Sequence, residues 1–228
     1  MPGYTQARLD ALTRSISIDR ISTYLKFSGG DLPRAIQLYE RNTLLSETLY
    51  SVLQGLEIAV RNSMHATLTD VYGRDWYDRA PLAKFERARI RDARRTITRN
   101  KKAETPGRIV SELTFGFWVS MTARRYAASL WVPHLHRAFP NKRLSHKLAH
   151  SRLNQVRLLR NRIAHHECIL RRDLDHDYTE AVEALDWVCP ETADWIQEST
   201  RFEDALQEAL GRSSSATPGL AVLADSLY

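Results

Sequence analysis

Cysteine, glycine and proline are all scarce in this sequence. Among 228 residues there are only Cys168 and Cys189, too few for a disulfide framework and in no metal-ligand spacing. Nine glycines and eight prolines fall well short of what a turn-rich sandwich or barrel uses. No run of four to eight residues alternates as a half-buried strand does. An all-α fold is therefore expected. No apolar stretch has the length needed to cross a bilayer, and the opening Met1-Pro2-Gly3-Tyr4 has no secretory character. These absences predict a cytoplasmic protein that does not engage a membrane. A hydrophobic content of 43% excludes wholesale disorder.

Charge is present in quantity and unevenly placed. The net value is +6, yet residues 1–83 balance nine basic against nine acidic side chains. From Lys84 to Pro140 there are thirteen against four, and from Asn141 to Arg172 nine against one. Residues 173–210 reverse the sign, with Arg201 facing twelve carboxylates. A polyanion would meet a basic middle and be repelled by an acidic C-terminal region. The densest run includes Lys84, Arg87, Arg91, Arg94 and Arg95, relieved only by Glu86 and Asp92. It reads either as a solvated helix face or as a surface that tracks phosphates, whose affinity would fall steeply with salt.

Helical periodicity organises the chain. Ser17 to Phe27 predicts a short helix stopped by Gly29-Gly30, and Asp31 before Leu32-Pro33 is a start signal. Leu45, Leu49, Val52, Leu56, Val60, Met64 and Leu68 then recur at helical spacing up to Gly73, with a break expected near Asn42-Thr43. A basic helix follows over 82–101. Thr105-Pro106 opens another, expected to run through Phe117 to Met121. Further helices are predicted over 143–165, over 175–188 (closed by Pro190) and over 191–210. One helical domain over 1–210 is expected, with residues 1–30 as a helical extension and 211–228 as a linker-like tail.

The informative segment runs from Val156 to Glu167. Ala149, Leu153, Val156 and Ile163 form an apolar stripe, and Arg160 lies on it. A guanidinium aimed at a core needs a partner, a wet cavity or a subunit interface. Asn161 and His165, four apart, share a helical face, whereas positions 160 and 165 diverge by about 140°. Arg160 and His165 meet at one ligand only if the helix ends or distorts near Ala164, or if a second chain completes the site. Histidine exchanges protons near neutrality, and arginine grips a phosphate through two donors. The adjacent His165 and His166 equally suit a C-terminal helix cap.

The run Leu158-Leu159-Arg160-Asn161-Arg162-Ile163-Ala164-His165-His166-Glu167 resembles the signature of the bacterial Abi-like (abortive infection) proteins of the HEPN superfamily. Leu56-Glu57-Ile58-Ala59-Val60-Arg61-Asn62 resembles that family's upstream helix, and Leu113-Thr114-Phe115-Gly116-Phe117-Trp118 is similar to its Phe-Gly element. The resemblance implies a multi-helix bundle of HEPN type that cuts RNA through its own 2′-hydroxyl, with no metal and no cofactor, in defence against phage. It implies Arg160, Asn161 and His165 as catalytic residues, with His166, Glu57 and Arg61 in support. It also implies a homodimer, with an antitoxin or regulatory protein as a further partner. Lys84, Arg87, Arg91, Arg94, Arg95, Arg157 and Arg162 are the candidate RNA contacts. Members that bind RNA without cutting it leave a sensor or binding module as the alternative. A third reading is an interaction protein whose acidic helices over 175–210 dock a basic partner.

Phe115, Phe117, Trp118 and Trp131 are expected in packing rather than in base stacking, with Gly116 permitting close helix approach. His146 and His150 share a helical face, yet no acidic third ligand accompanies them.

Overall fold

A computed structural model describes residues 4–210, and the tail predicted over 211–228 lies outside the described residues. The described residues contain helices and turns and no strand. In order, the α-helices are α1 (Gln6–Ile16), α2 (Ile18–Phe27), α3 (Leu32–Tyr72), α4 (Trp76–Arg79), α5 (Lys84–Arg99), α6 (Pro106–Glu112) and α7 (Phe115–Ser120). After irregular turns come α8 (His146–Ala164), α9 (Leu174–Asp186), α10 (Pro190–Ser199) and α11 (Phe202–Ala209). No helix is long and apolar enough to cross a membrane.

The chain groups into two compact units. Of the described residues, the first comprises 4–51, Asn161–Asp177 and 200–210; the second comprises Val52–Arg160 and Tyr178–Ser199. In the first, Ile21, Tyr24, Ile36, Leu45, Leu49, Ile169 and Phe202 are buried. Asp31 starts α3 as expected, its Oδ1 accepting from Arg34 N–H at 3.0 Å. The break expected at Asn42-Thr43 is absent, because α3 is one helix of 41 residues. Asn42 is instead a buried tie: its Oδ1 accepts from Ile169 N–H at 2.8 Å and its Nδ2 donates to Glu167 O at 3.4 Å. Gly73 does end α3, with φ +85.

Aromatic rings dominate the core of the second unit. Trp76, Phe117 and Trp118 are buried together, with ring centroids 5.3–6.3 Å apart. Trp131 packs separately, against Phe139 at 5.6 Å. The single helix expected from Thr105 to Met121 is two, since Leu113 adopts extended backbone with ψ 121 between α6 and α7. The acidic helix expected over 191–210 is likewise split, into α10 and α11, and Pro190 opens α10 rather than merely closing α9. Gly116 is not a close approach. A Cβ there would lie 3.6 Å from Arg157 Cδ, an ordinary contact, whereas at Gly55 it would meet Ile196 Cδ1 at 3.1 Å.

Glu86, one of two acids in the basic run, is fully buried. Ser120 Oγ donates to its Oε1 at 2.7 Å, Arg125 pairs with the same oxygen, and Tyr126 O–H donates to Oε2 at 2.6 Å. The Tyr126 oxygen in turn accepts from Ala83 N–H at 2.8 Å, which caps α5 where no side chain of its own does so. Burial pushes the Glu86 carboxyl upward, but the donors of Tyr126, Ser120, its own backbone and Arg125 outweigh it, and the net shift is downward. A similar buried bond fixes His65, whose Nδ1 accepts from Trp76 Nε1–H at 2.8 Å. Burial, helped by the Arg61 charge, lowers its affinity for a proton.

Two stability predictions follow from these bonds. Glu86→Gln should cost about 2 kcal/mol in urea unfolding near neutral pH, as charge-assisted bonds to a buried carboxylate are lost. Because its folded pKa is depressed, the wild-type contribution is full above 4.5 and is lost as pH falls through the folded value, so the variant should show a flatter acid limb. His65 is also depressed, from 6.5, so its contribution is present above that pH and declines as pH falls through the lowered folded value. His65→Gln should remove that dependence, read from urea midpoints between about pH 7.5 and pH 5.

Candidate functional site

The segment with the Arg-Asn…His spacing is α8 and the turn after it. Ala149, Leu153, Val156 and Ile163 are buried along α8, as the apolar stripe predicts, and Leu159, which the stripe did not include, is buried with them. Arg160 belongs to the second unit, and its side chain is 36% exposed. The partner it needed is Glu57 on α3, whose Oε2 accepts from Arg160 Nε at 3.3 Å. Glu57 is 21% exposed, so the pair is half-shielded and keeps guanidinium N–H groups free for another acceptor. The i, i+4 pairing of Glu57 with Arg61 that helical spacing allows is not made; Arg61 Nε donates to Asn62 Oδ1 at 3.3 Å instead. Arg157 holds Asn154 Oδ1 through Nε and Nη2, at 3.0 and 2.8 Å.

Asn161 onward belongs to the first unit. His165 N–H donates to Asn161 O at 2.9 Å, so helical register persists to that amide. The chain then turns: His166 N–H donates to Ile163 O at 2.9 Å, Glu167 N–H donates to Arg162 O at 2.8 Å, and His166 has φ +56. This double bond pattern around a left-handed residue is a Schellman cap. His166 therefore ends the helix through its backbone, where glycine would be usual. The imidazoles of His165 and His166 are exposed and, among the described residues, have no hydrogen-bond partner. Arg162 is exposed and lies 3.6 Å from Glu167.

Two residues that sequence reasoning missed secure this turn. Arg20 on α2 donates from Nη1 to His166 O at 2.6 Å and to His165 O at 3.3 Å, occupying carbonyls left open at the helix end. Asn42 holds the departing chain at Glu167 and Ile169. Nothing local marks either residue, since both act across more than a hundred residues of sequence. A polar Asn on the buried face of α3 was the one available signal.

The candidate RNA contacts of α5 divide into two groups. Arg94 grips Asp78 through Nη1 and Nη2 at 3.0 and 2.6 Å, reaches Glu104 at 3.1 Å, and lies over the Tyr77 ring. Arg87 donates to Leu82 O and Ala80 O, closing the loop before α5. These two brace the fold. Lys84, Arg91 and Arg95 are exposed, Arg95 within 3.3 Å of Asp92. Beside them Phe85 is 51% exposed with the Arg89 guanidinium 5.0 Å from its ring centre, a stacking surface that the charge count did not reveal. His150 is engaged by Thr122 Oγ1 at 3.0 Å. Among the described residues no group of three or more His, Cys, Asp or Glu stands together as metal ligands.

No family model, curated protein or solved structure matches this chain.

The helix end yields a pair of opposite expectations. His166→Gly should raise stability by about 0.5–1 kcal/mol, because glycine adopts the left-handed cap without the Cβ penalty. Asn42→Ala should lower it by about 2 kcal/mol, since the buried Ile169 N–H loses its acceptor. Urea midpoints of the two variants check both signs.

Proposed function

We propose that this protein is a metal-independent endoribonuclease of the Abi-like, HEPN type, acting in defence against phage. The observation that carries the reading is an exposed, unengaged His165 imidazole at the end of the helix that also bears Arg160 and Asn161. RNA brings its own nucleophile, so the protein need only move protons and steady the charge on phosphorus. The 2′-oxygen attacks the adjacent phosphorus and the bond to the 5′-oxygen breaks, leaving a cyclic phosphate and a 5′-hydroxyl. His165 takes the 2′-proton or delivers one to the leaving oxygen. Arg160, steadied by Glu57, holds the non-bridging oxygens, and Asn161 orients the linkage.

Positions 160 and 165 point about 140° apart on a regular helix. A homodimer resolves this, with Arg160 of one copy and His165 of the other serving one phosphate. Lys84, Arg91, Arg95 and the Phe85–Arg89 pair supply sequence-tolerant contacts to the rest of the strand.

Purified protein in EDTA should cut single-stranded RNA to cyclic-phosphate ends and leave a 2′-deoxy substrate intact. His165→Ala and Arg160→Ala should each lower the rate by at least about a hundredfold. Co-expression of the two inactive variants should restore part of the activity, because a mixed dimer keeps one complete site. Cleavage that needs a divalent ion, equal cutting of the deoxy substrate, or full activity in both variants would overturn the reading; salt-sensitive RNA retention without cleavage would leave a binding module in its place.

A further inference from the structure

The first unit contains a cleft of about 900 Å³, beside α2 and the segment that follows α8. That is the upper end of the range for small-ligand sites. Arg20, Lys26, Arg162, Arg171 and Arg172 line it, against the two carboxylates of Asp19 and Glu167. Arg172 is taken by Asp177, with both of its bonds at 2.6 Å. Arg162 sets Nη1 3.6 Å from Glu167 and keeps its Nε and Nη2 donors, and the others retain capacity as well. Arg20 uses only Nη1 on the helix-end carbonyls, and Lys26 has no partner among the described residues. Arg171 lies over the half-buried Phe27 ring, 4.6 Å from its centre.

A second observation comes from the cleft wall. Tyr24 is 1% exposed, yet its hydroxyl has no hydrogen-bond partner among the nitrogen and oxygen atoms around it. The Cys168 thiol stands beside it, but a thiol is a weak partner. Buried hydroxyls are almost always satisfied by nitrogen or oxygen, so a tyrosine hydroxyl held only by a thiol in the wall of a cationic cleft keeps capacity for an atom of a ligand.

We propose that this cleft binds a nucleotide. Its phosphates lie on Lys26, Arg171 and the free donors of Arg20 and Arg162. The base rests against the Phe27–Arg171 pair, and the Tyr24 hydroxyl meets a polar atom of the ligand. Asp19 and Glu167 decide between a mononucleotide and a passing RNA strand. They accept from ribose hydroxyls or base amines, and they repel a continuous polyanion. The assignment does not rest on the cleavage reading. Because Arg20 also holds the carbonyls of His165 and His166, an occupant of the cleft touches the clamp on the end of α8.

The test is calorimetric titration of the full-length protein with ATP in the absence of metal. Saturable one-to-one binding is expected, with tripolyphosphate weaker than ATP and adenosine much weaker. Lys26→Ala and Arg171→Ala should each weaken ATP by about tenfold with an unchanged melting temperature. Tyr24→Phe should also weaken ATP, while the free protein melts at the same temperature or higher, a combination that loss of a merely structural contact would not give. No saturable heat, or ATP binding indifferent to Lys26→Ala and Arg171→Ala, overturns the proposal. So does an oligoribonucleotide with a 5′-hydroxyl that binds more tightly and is not displaced by ATP. None of these outcomes depends on whether RNA is cut, so this proposal and the nuclease reading fail separately.

Discussion

The carbonyls at the end of α8 must be satisfied, and the candidate site is arranged around that requirement. A helix leaves its last carbonyls without amide partners, and burial or crowding makes each of them costly. Here a left-handed residue at His166 closes two bonds back into the helix, and Arg20 supplies the donor for the carbonyls of His165 and His166. Asn42 then fixes the departing chain at Glu167 and Ile169. The backbone of the two histidines is thereby fixed while their rings stay exposed.

Charge follows the same pattern of internal engagement. Read along the chain, the basic middle and the acidic C-terminal region suggest a molecule that meets its partners by charge. Within the second unit much of that charge meets itself. Arg152 on α8 pairs with Glu180 and with Glu183 at 2.7 Å on the acidic α9, and stacks over Trp187. Glu86 gathers Arg125, and Arg94 gathers Asp78 and Glu104. On α5, Lys84, Arg89 and Arg91 stay exposed with no acidic partner among the described residues, around an exposed phenylalanine. Cations joined to a ring make a more specific surface than net charge alone.

Much of the architecture was legible from local signals. Asp31 and Gly73 place the ends of α3, Thr105 places the start of α6, and periodicity places α5 and α8 to within a few residues, because caps and burial stripes are short-range features. The errors have short-range causes too. Asn42 has the look of a helix breaker since its polarity interrupts an apolar pattern, but the buried Ile169 N–H, 127 residues away, satisfies it within the helix. Leu113 fits a continuous helical stripe, yet its backbone extends and the stripe divides. Arg160, read on the apolar stripe of α8, called for a partner, a wet cavity or a subunit interface, and the structure gives it a partner in Glu57.

Sequence alone determined that the chain is helical and where its main helices begin. It also placed an arginine, an asparagine and a histidine at the end of one of them. These properties depend on residues within a turn or two of each other. The tertiary structure decided which charges are engaged, that Arg20 clamps the helix end, and that a cationic cleft with a tyrosine hydroxyl held only by a thiol lies beside it. Those outcomes depend on pairings that range from Arg94 with Asp78, 16 residues apart, to Arg20 with His166, 146 apart, where no periodicity carries information and only packing brings donor to acceptor.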